Sequence, residues 1–330
     1  MSQSEFQTFH VGPPQNQQTM LALLRQWLTG ESWAQVRRRV QSRQVMVNGN
    51  LCLDEGRRLK AGDVVRVSEH SHAPPPREDD VQIRYLDAHL AIVEKPAGVT
   101  TLRHAEERFW PERRKQLQPT LDELLPKVLA HKEGRTQPKK GRLPRVRPVH
   151  RLDRDTSGLM VFARTVPAEL HLVQQFRKHT IHRSYIAIVH GKAEAQTITS
   201  QLVRDRGDGR RGSTTMKDVG QHAVTHVRPI EELDGYTVIE CRLETGRTHQ
   251  IRIHLSENGH LVCGDKMYHQ PLFGPPIPDR SGAPRLALHA AELGLVHPIT
   301  GEKLLFKMPL PPDLAEFLTR LRKQKKAAPP

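Results

Sequence analysis

Apolar residues recur at helical spacing in two short segments near the start of the chain, 21–28 (LALLRQWL) and 32–43 (SWAQVRRRVQSR). Ser32 stands where a residue can cap the second helix. After the helices, apolar and polar positions alternate on either side of Asn48-Gly49, a dipeptide typical of a hairpin turn. A further turn and a short strand follow over 59–67. The pattern predicts a compact unit of two short helices and a small sheet.

The rest of the chain carries short apolar runs that have the length and composition of strands. One helix is predicted among them, over 120–130 (TLDELLPKVLA). The predicted strands are LAIVEK (90–95), GLMVFA (158–163), YIAIVHG (185–191), YTVIECRLE (236–244) and HQIRIHL (249–255). These runs predict a second, larger and strand-rich body.

Proline-rich and charged stretches divide the chain into segments. HAPPPREDD (72–80) has the composition of a linker, because its prolines stiffen it and its charges keep it in water. The predicted organisation is a flexible N-terminus (1–19), the helix-and-sheet unit (20–70), a linker (71–80), the larger body (81–318) and a basic tail (319–330). Within the larger body, the stretch 103–147 is rich in Lys and Arg, and its flanks are predicted to face RNA or merely to be solvated.

The net charge of the chain limits the classes of function that it can have. The chain has 51 Lys and Arg against 36 Asp and Glu, a formal net charge of +15, which is typical of a protein that works on nucleic acid. No apolar run approaches the roughly 20 residues of a membrane span, and no signal-peptide pattern opens the chain, so we expect a cytoplasmic protein. Three scattered Cys, and the lack of any HExxH or phosphate-loop motif, indicate no metal site and no cofactor.

Residues 150–158 (HRLDRDTSG) place two carboxylates among arginines, directly before an apolar strand. A solvated surface turn is one interpretation; a carboxylate held over a polyanion to do chemistry on it is the other. An ionised Asp in a partly dry cleft needs a cation beside it. Asp155 is the rival of Asp153, but its position before Thr156 and Ser157 favours a turn-shaping role in which it bonds their amides.

Five stretches of the larger body together resemble the RluA-type pseudouridine synthases. They are RPVHRLDRDTSG (147–158), RSYIAIVHG (183–191), LETGRTHQIRIHL (243–255), GHLVCGDKMYH (259–269) and RLALHAAEL (285–293). The resemblance covers residues 81–312. It departs from the family at Leu261, where Pro is usual, and at His269, where Gly is usual.

In front of it, SWAQVRRRVQSRQVMVNG (32–49) and LKAGDVVRV (59–67) resemble an S4-like RNA-binding domain. This resemblance implies that the arginines of the second helix contact phosphates, which supplies affinity but little sequence choice. These arginines are Arg37, Arg38, Arg39 and Arg43.

The resemblance also implies roles for residues of the larger body. Asp153 matches the catalytic aspartate, and Arg247 is expected to be its charge partner. Tyr185 is expected to stack on the uracil or to assist the final proton removal, with Ile251 packed against it. Arg151 is expected to fill the space left by a flipped uridine, and His249 to contact the substrate. The implied fold is α+β, with a long mixed, mostly antiparallel sheet in two halves around a central cleft.

The sequence therefore predicts a cofactor-free RNA pseudouridine synthase, expected to be a monomer. Ribosomal RNA is the favoured substrate and transfer RNA is possible. Two other classes remain open: a non-catalytic RNA-binding assembly factor, and a glycosylase or nuclease that uses the same carboxylate. A nuclease would need clustered acidic metal ligands, and the sequence shows none.

Overall fold

The computed structural model describes residues 6–71, 74, 76–134, 143–206, 210–216 and 219–327. These residues form two compact units. The first comprises the chain up to Arg77 together with Arg103–Pro119, and the second comprises Glu78–Leu102 and the chain from Thr120 onwards. Of the predicted linker, residues 72, 73 and 75 lie outside the described residues, as do residues 135–142 of the predicted basic flank.

The first unit is a small antiparallel sheet packed against two helices. Its elements are β1 (Phe6–His10), α1 (Met20–Trp27), α2 (Trp33–Gln41), β2 (Val45–Val47), β3 (Asn50–Leu51), β4 (Val64–Ser68) and, later in the chain, α3 (Glu112–Leu117). The strands lie in the order β1-β4-β2-β3. The two predicted helices and the hairpin are confirmed. Ser32 caps α2 as predicted, because its hydroxyl accepts from the amide of Gln35.

Two predictions for this unit are wrong. The N-terminal segment is not flexible from Phe6 on, because β1 pairs with β4 and Phe9 stacks on Trp27 with ring centroids 4.9 Å apart. The larger body is also not continuous over 81–318, since 103–119 belongs to the first unit. There the side-chain amide of Gln118 donates to the carbonyl of Leu51.

The second unit is built on a long sheet with helices packed against it. Its elements are β5 (Gln82–Leu86), β6 (Leu90–Lys95), α4 (Leu121–Lys132), β7 (Arg147–Pro148), β8 (Ser157–Ala163), α5 (Val166–Arg177), β9 (His182–His190), β10 (Gln196–Val203), β11 (Gly212–Thr214), β12 (Gln221–Glu232), β13 (Tyr236–Leu243), α6 (Gln250–Glu257), β14 (Leu288–Val296), β15 (Lys303–Lys307) and α7 (Pro312–Ala327).

The sheet is mixed but mostly antiparallel, as predicted. Its main path is β11-β10-β12-β13-β9-β14-β8-β6-β5, with β15 paired to β14 and β7 paired to β8. Within the described residues, β14 and β8 form the parallel pair, and they meet where Ala290 faces Gly158. A Cβ on Gly158 would stand 2.3 Å from the carbonyl oxygen of Ala290, so this approach requires glycine. The α+β class is confirmed.

The segment HQIRIHL is a helix, α6, and its prediction as a strand is wrong. Ile251, Ile253 and Leu255 alternate with polar residues as in a half-buried strand, but the helix is buried on every side. Its polar residues are therefore inside the protein and are satisfied there by specific partners. A pattern of two-residue alternation cannot distinguish this case from a strand.

The predicted basic tail is also a structural element. Residues up to Ala327 continue α7, and Leu321 on this helix is 2% exposed. Arg322 pairs with Glu231 through a guanidinium–carboxylate contact of 2.6 Å. The last three residues, 328–330, lie outside the described residues.

Candidate active site

Asp153 lies on the loop that joins β7 to β8, and buried contacts hold this loop in place. The hydroxyl of Thr101 donates to the carbonyl of Leu152 at 2.8 Å and accepts from its amide at 3.2 Å. The amide of Gly98 donates to the carbonyl of Arg154 at 2.8 Å. The backbone at Gly98 and the side chain of Thr101 therefore both hold the Asp153 loop in place.

Lys95, at the end of β6, is the strongest of these supports. Its side chain is 1% exposed, and Nζ donates to the carbonyls of Pro96, Val99 and Arg154 at 2.7–2.9 Å. Burial lowers the pKa of Lys95 to about 7, while the charges of Asp155 and Asp153 oppose the shift. Only the ammonium form of Lys95 has three hydrogens for three acceptors, so it is the protonated lysine that can make all three of these bonds.

The Asp153 carboxylate faces the guanidinium of Arg252 on α6 and the imidazole of His249, the residue just before this helix. Its Oδ2 lies 3.7 Å from Nη1 of Arg252, and its Oδ1 lies 3.9 Å from Nε2 of His249. The carboxylate side chain is 16% exposed, so it can still be reached from the cleft. A guanidinium is always charged, so a fixed positive charge stands beside the Asp153 carboxylate.

Arg252 is positioned by a second carboxylate, that of Asp265. Nε and Nη2 of Arg252 bind the two oxygens of Asp265 at 2.7 and 2.8 Å, and the guanidinium also lies over the ring of Tyr268 at 4.9 Å. Burial alone would lower the pKa of Arg252, but the bonds to Asp265 raise it above its ordinary value. Asp265 thus binds two nitrogens of the guanidinium, Nε and Nη2, and Nη1 remains directed toward Asp153.

His249 stands at the start of α6 with a left-handed backbone, φ 59°. Its Nδ1 is 2.7 Å from the hydroxyl of Tyr268. Burial raises the pKa of Tyr268 to about 12, so at neutral pH this phenol keeps its proton and can donate it to Nδ1. Burial also lowers the pKa of His249, against the opposing charge of Asp153. The imidazole is therefore mainly neutral, with Nε2 turned toward Asp153.

Tyr185 and Ile251 line the same cleft as Asp153, and their predicted roles there stay predictions. They are 7% and 4% exposed, respectively. Burial raises the pKa of the Tyr185 hydroxyl. The cleft is about 470 Å³, large enough for one nucleotide unit and bounded by apolar side chains on this face.

Arg151 and Arg247 also line the cleft, but Arg247 is not placed as the charge partner of Asp153. Nε of Arg247 donates to the carbonyl of His222 at 3.0 Å, and the cation beside Asp153 is Arg252. Helical spacing gave no signal for the pair His249 and Arg252, because His249 has a left-handed backbone and stands before the first residue of α6. Predicting a strand over HQIRIHL also hid the position of Arg252 on a helix.

Asp155 does not shape the turn in the predicted way. Its carboxylate accepts from Nε of Arg154 at 3.2 Å and is 45% exposed, while the amide of Thr156 donates to the carbonyl of Asp153. Of these two carboxylates, Asp153 lines the cleft, and its preference over Asp155 as the catalytic residue stays a prediction.

Two of the four arginines that the sequence placed on the second helix are paired with glutamates, and Arg43 lies beyond the last residue of α2. Arg37 pairs with Glu55 at 2.8 Å, and Arg39 forms a forked pair with Glu31 at 2.6–2.9 Å. Arg38 is exposed and has no ion-pair partner among the described residues. The prediction that these arginines contact phosphates stays a prediction.

Two classes of feature are missing from the part of the chain that the structure describes. No group of three or more His, Cys, Asp or Glu side chains is placed to hold a metal ion. None of the described helices is long and apolar enough to cross a membrane.

Comparisons with known proteins agree on one family. The family model described as RNA pseudouridylate synthase matches residues 89–257. The ribosomal large subunit pseudouridine synthase D of Nitrosomonas europaea is 36% identical over 274 residues, covering 81% of this chain and 72% of its own. The uncharacterized RNA pseudouridine synthase YlyB of Bacillus subtilis is 35% identical over 309 residues, covering 89% and 92%.

Solved structures show the same fold. The human RNA pseudouridylate synthase domain containing 4 superposes with a TM-score of 0.56 at 23% sequence identity, covering 73% of this chain and 92% of that chain. The human RNA pseudouridylate synthase domain containing 1 gives a TM-score of 0.55 at 22% identity, covering 78% and 99%.

Proposed function

The chain belongs to the RNA pseudouridylate synthase family, and we propose that it modifies uridine in ribosomal RNA with Asp153 as the catalytic carboxylate. Support for the substrate comes from relatives named ribosomal large subunit pseudouridine synthase D, at 35–38% identity. Support for the residue comes from one observation. Among the described residues that line the cleft, Asp153 is the carboxylate, and a guanidinium stands beside it.

The reaction exchanges one bond to the sugar for another. The bond from C1′ of the ribose to N1 of uracil breaks, the base rotates, and a bond from C1′ to C5 forms. C5 then loses its proton and N1 gains one, so no electrons enter or leave and no group donor is consumed. A carboxylate can serve by attacking the electron-poor sugar or by removing a proton from it. Asp153 is exposed to the cleft, as either role requires.

The other cleft residues fit the handling of a flipped base. Tyr185 offers a buried ring against which uracil can stack, and Ile251 supplies a further apolar surface in the same wall. Arg151 is exposed at the cleft, where its long side chain can occupy the gap in the RNA stack. Extrusion of the uridine costs a few kcal/mol of unstacking, which such contacts offset.

The test of the catalytic residue uses a matched pair of variants. Asp153→Asn keeps the size of the side chain but removes its ability to act as nucleophile or base, so we expect turnover to fall by about 10³-fold or more. Folding and RNA affinity are expected to change little. Asp155→Asn, two residues away on an exposed side chain, should keep most of the activity. Normal turnover by Asp153→Asn would exclude Asp153 as the catalytic residue.

The test of the substrate compares RNA from cells with and without the gene. We expect a pseudouridine at one or more positions of large-subunit ribosomal RNA to disappear with the gene and to return with the wild-type protein. It should not return with Asp153→Asn. Loss of pseudouridine from transfer RNA alone would contradict the proposed substrate while leaving the catalytic residue in place.

A further inference from the structure

Several arginines of the second unit are paired with carboxylates at 2.6–2.9 Å, as Arg147 is with Glu169, Arg228 with Glu240, Arg285 with Asp313 and Arg322 with Glu231. Four arginines line the cleft without a carboxylate within 4 Å in the part of the chain that the structure describes. They are Arg151, Arg177, Arg183 and Arg247.

Arg183 is the best-fixed of the four. Its guanidinium carbon lies over the ring of Phe176 at 5.6 Å, and Nη2 donates to the carbonyl of Glu244 at a long 3.3 Å. Its Nε is buried without a partner among the described residues. A Cβ at position 246 would lie 2.7 Å from Nη1, so Gly246 lets the guanidinium lie directly against the backbone. Packing therefore holds this charge in place, and no anion of the described chain neutralises it.

The connection between α5 and β9 brings a second charge to the same wall. Arg177 is the last residue of α5, directly after Phe176, and both line the cleft together with Arg183. Phe176 is fixed in turn by His150, which stacks on it with ring centroids 4.7 Å apart. Burial lowers the pKa of His150 to about 3, and Nε2 of this imidazole accepts the amide of Val161, so His150 adds no charge of its own.

The position of this wall relates it to the target uridine. Arg183 precedes Tyr185 by two residues on β9, so the two side chains leave the same face of the strand, about 7 Å apart along it. A ligand bound against Tyr185 therefore lies close enough to Arg183 for a neighbouring group of the same ligand to reach its guanidinium. The ligand of this cleft is a polyanion whose charges are its phosphates.

We propose that Arg177 and Arg183 form a phosphate subsite that binds the RNA backbone beside the target uridine. This inference rests on the proposed function, because it assigns the substrate of that site. A guanidinium edge matches a phosphate by two parallel hydrogen bonds, and one face of Arg183 is already covered by Phe176. The subsite holds the backbone and leaves recognition of the base to the Tyr185 end of the cleft.

The experiment measures how binding depends on salt, with the full-length protein. The probes are two ten-nucleotide single-stranded RNAs, oligouridylate and oligoadenylate. Arg177→Gln and Arg183→Gln are each expected to reduce the log–log salt slope by about 0.7, on both probes alike, because a phosphate contact is lost whatever the base. Arg322→Gln is the control, since it removes the same charge from a side chain paired with Glu231 and should leave the slope unchanged.

Two results would overturn the subsite: a wild-type slope for both variants, or a loss confined to oligouridylate, which would indicate a base contact. Arg183→Lys keeps the charge and should keep the slope. Should Arg183→Gln fail to fold by circular dichroism, the exposed Arg177 carries the test alone. Failure of the proposed function is separate, because it appears as absence of pseudouridine in ribosomal RNA treated with wild-type protein, whereas the salt slopes require no turnover.

Discussion

Helix α2 and the cleft beside Asp153 both carry clustered arginines, and their charges are held in opposite ways. On α2, Arg37 and Arg39 are bound by glutamates of the same unit, with Arg37 53% exposed. In the cleft, Arg183 is held by an aromatic ring and a glycine backbone and meets no carboxylate of the described chain. Arg252 is intermediate, because it is buried and shared between Asp265 and Asp153.

This difference in arginine partners determines which surface of a basic protein can bind RNA strongly. A guanidinium that already has a carboxylate partner must give up that partner, or share it, before it can bind a phosphate. An arginine held by packing alone offers its whole charge and loses little side-chain entropy on binding. Counting arginines therefore overestimates the positive charge that α2 can offer to RNA. In the cleft, the count is closer to the charge that is available.

The largest effect should come from replacing the shared arginine. Arg252→Ala removes the cation beside Asp153 and leaves Asp265, whose side chain is 1% exposed, as a buried unpaired carboxylate. We expect a loss of about 3–5 kcal/mol in the free energy of unfolding, measured by urea titration, together with loss of turnover. Arg252→Lys should fold better but recover only part of the turnover, because one ammonium cannot replace the fork.

Arg247→Ala is the matched comparison on the same cleft. Its guanidinium bonds only a carbonyl in the described structure, so stability should change by about 0.5 kcal/mol or less. Its effect should appear in RNA binding more than in turnover at saturating RNA. A deeper loss of turnover in Arg247→Ala than in Arg252→Lys would restore Arg247 as the charge partner of Asp153.

Acid is expected to destabilise the fold, because it adds charge to histidines that are neutral in the folded protein. Burial lowers the pKa values of His254 and His289 to about 4, and both side chains are at most 1% exposed. The unfolded chain takes up these protons near pH 6.5, so stability is complete above that pH and falls as pH drops toward 4. At pH 5 we expect a loss of about 2 kcal/mol per histidine.

Urea titrations at pH 7, 6 and 5 measure this loss, and His254→Gln gives the control. That variant gives up the bonds of His254 to Thr225 and Ser200, so it should be less stable at pH 7. It should also lose less stability on acidification than the wild type does. An unchanged pH dependence in His254→Gln would show that this histidine does not stay neutral in the fold.

The smallest effect, and the sharpest test of the comparison, lies on α2. Arg38→Gln should lower the log–log salt slope of RNA binding by about 0.7 to 0.9, because Arg38 is exposed and unpaired among the described residues. Arg37→Gln and Arg39→Gln should lower it less, since Glu55 and Glu31 already neutralise them. If all three variants lowered the salt slope by the same amount, the glutamate pairs would open when RNA binds. The contrast drawn between α2 and the cleft would then be wrong.

Much of the fold was predictable from local pattern. The helices α1, α2 and α4, the hairpin at Asn48-Gly49 and four of the five predicted strands follow directly from apolar spacing and turn residues. The strand β1 was missed because it is short and polar, and it is stabilised by pairing with β4 about sixty residues later. Helix α6 was missed because complete burial removes the polar face by which a surface helix is recognised.

The sequence by itself indicated the family and singled out Asp153, Tyr185 and Ile251 as candidates, because each stands in a short motif whose residues are close together in the chain. Only the tertiary structure decided which arginines carry free charge. That property depends on carboxylates brought from elsewhere: Glu55 reaches Arg37 across 18 positions, and Asp265 reaches Arg252 across 13. An ion pair is made by distance in space, and the order of residues along the chain does not state that distance.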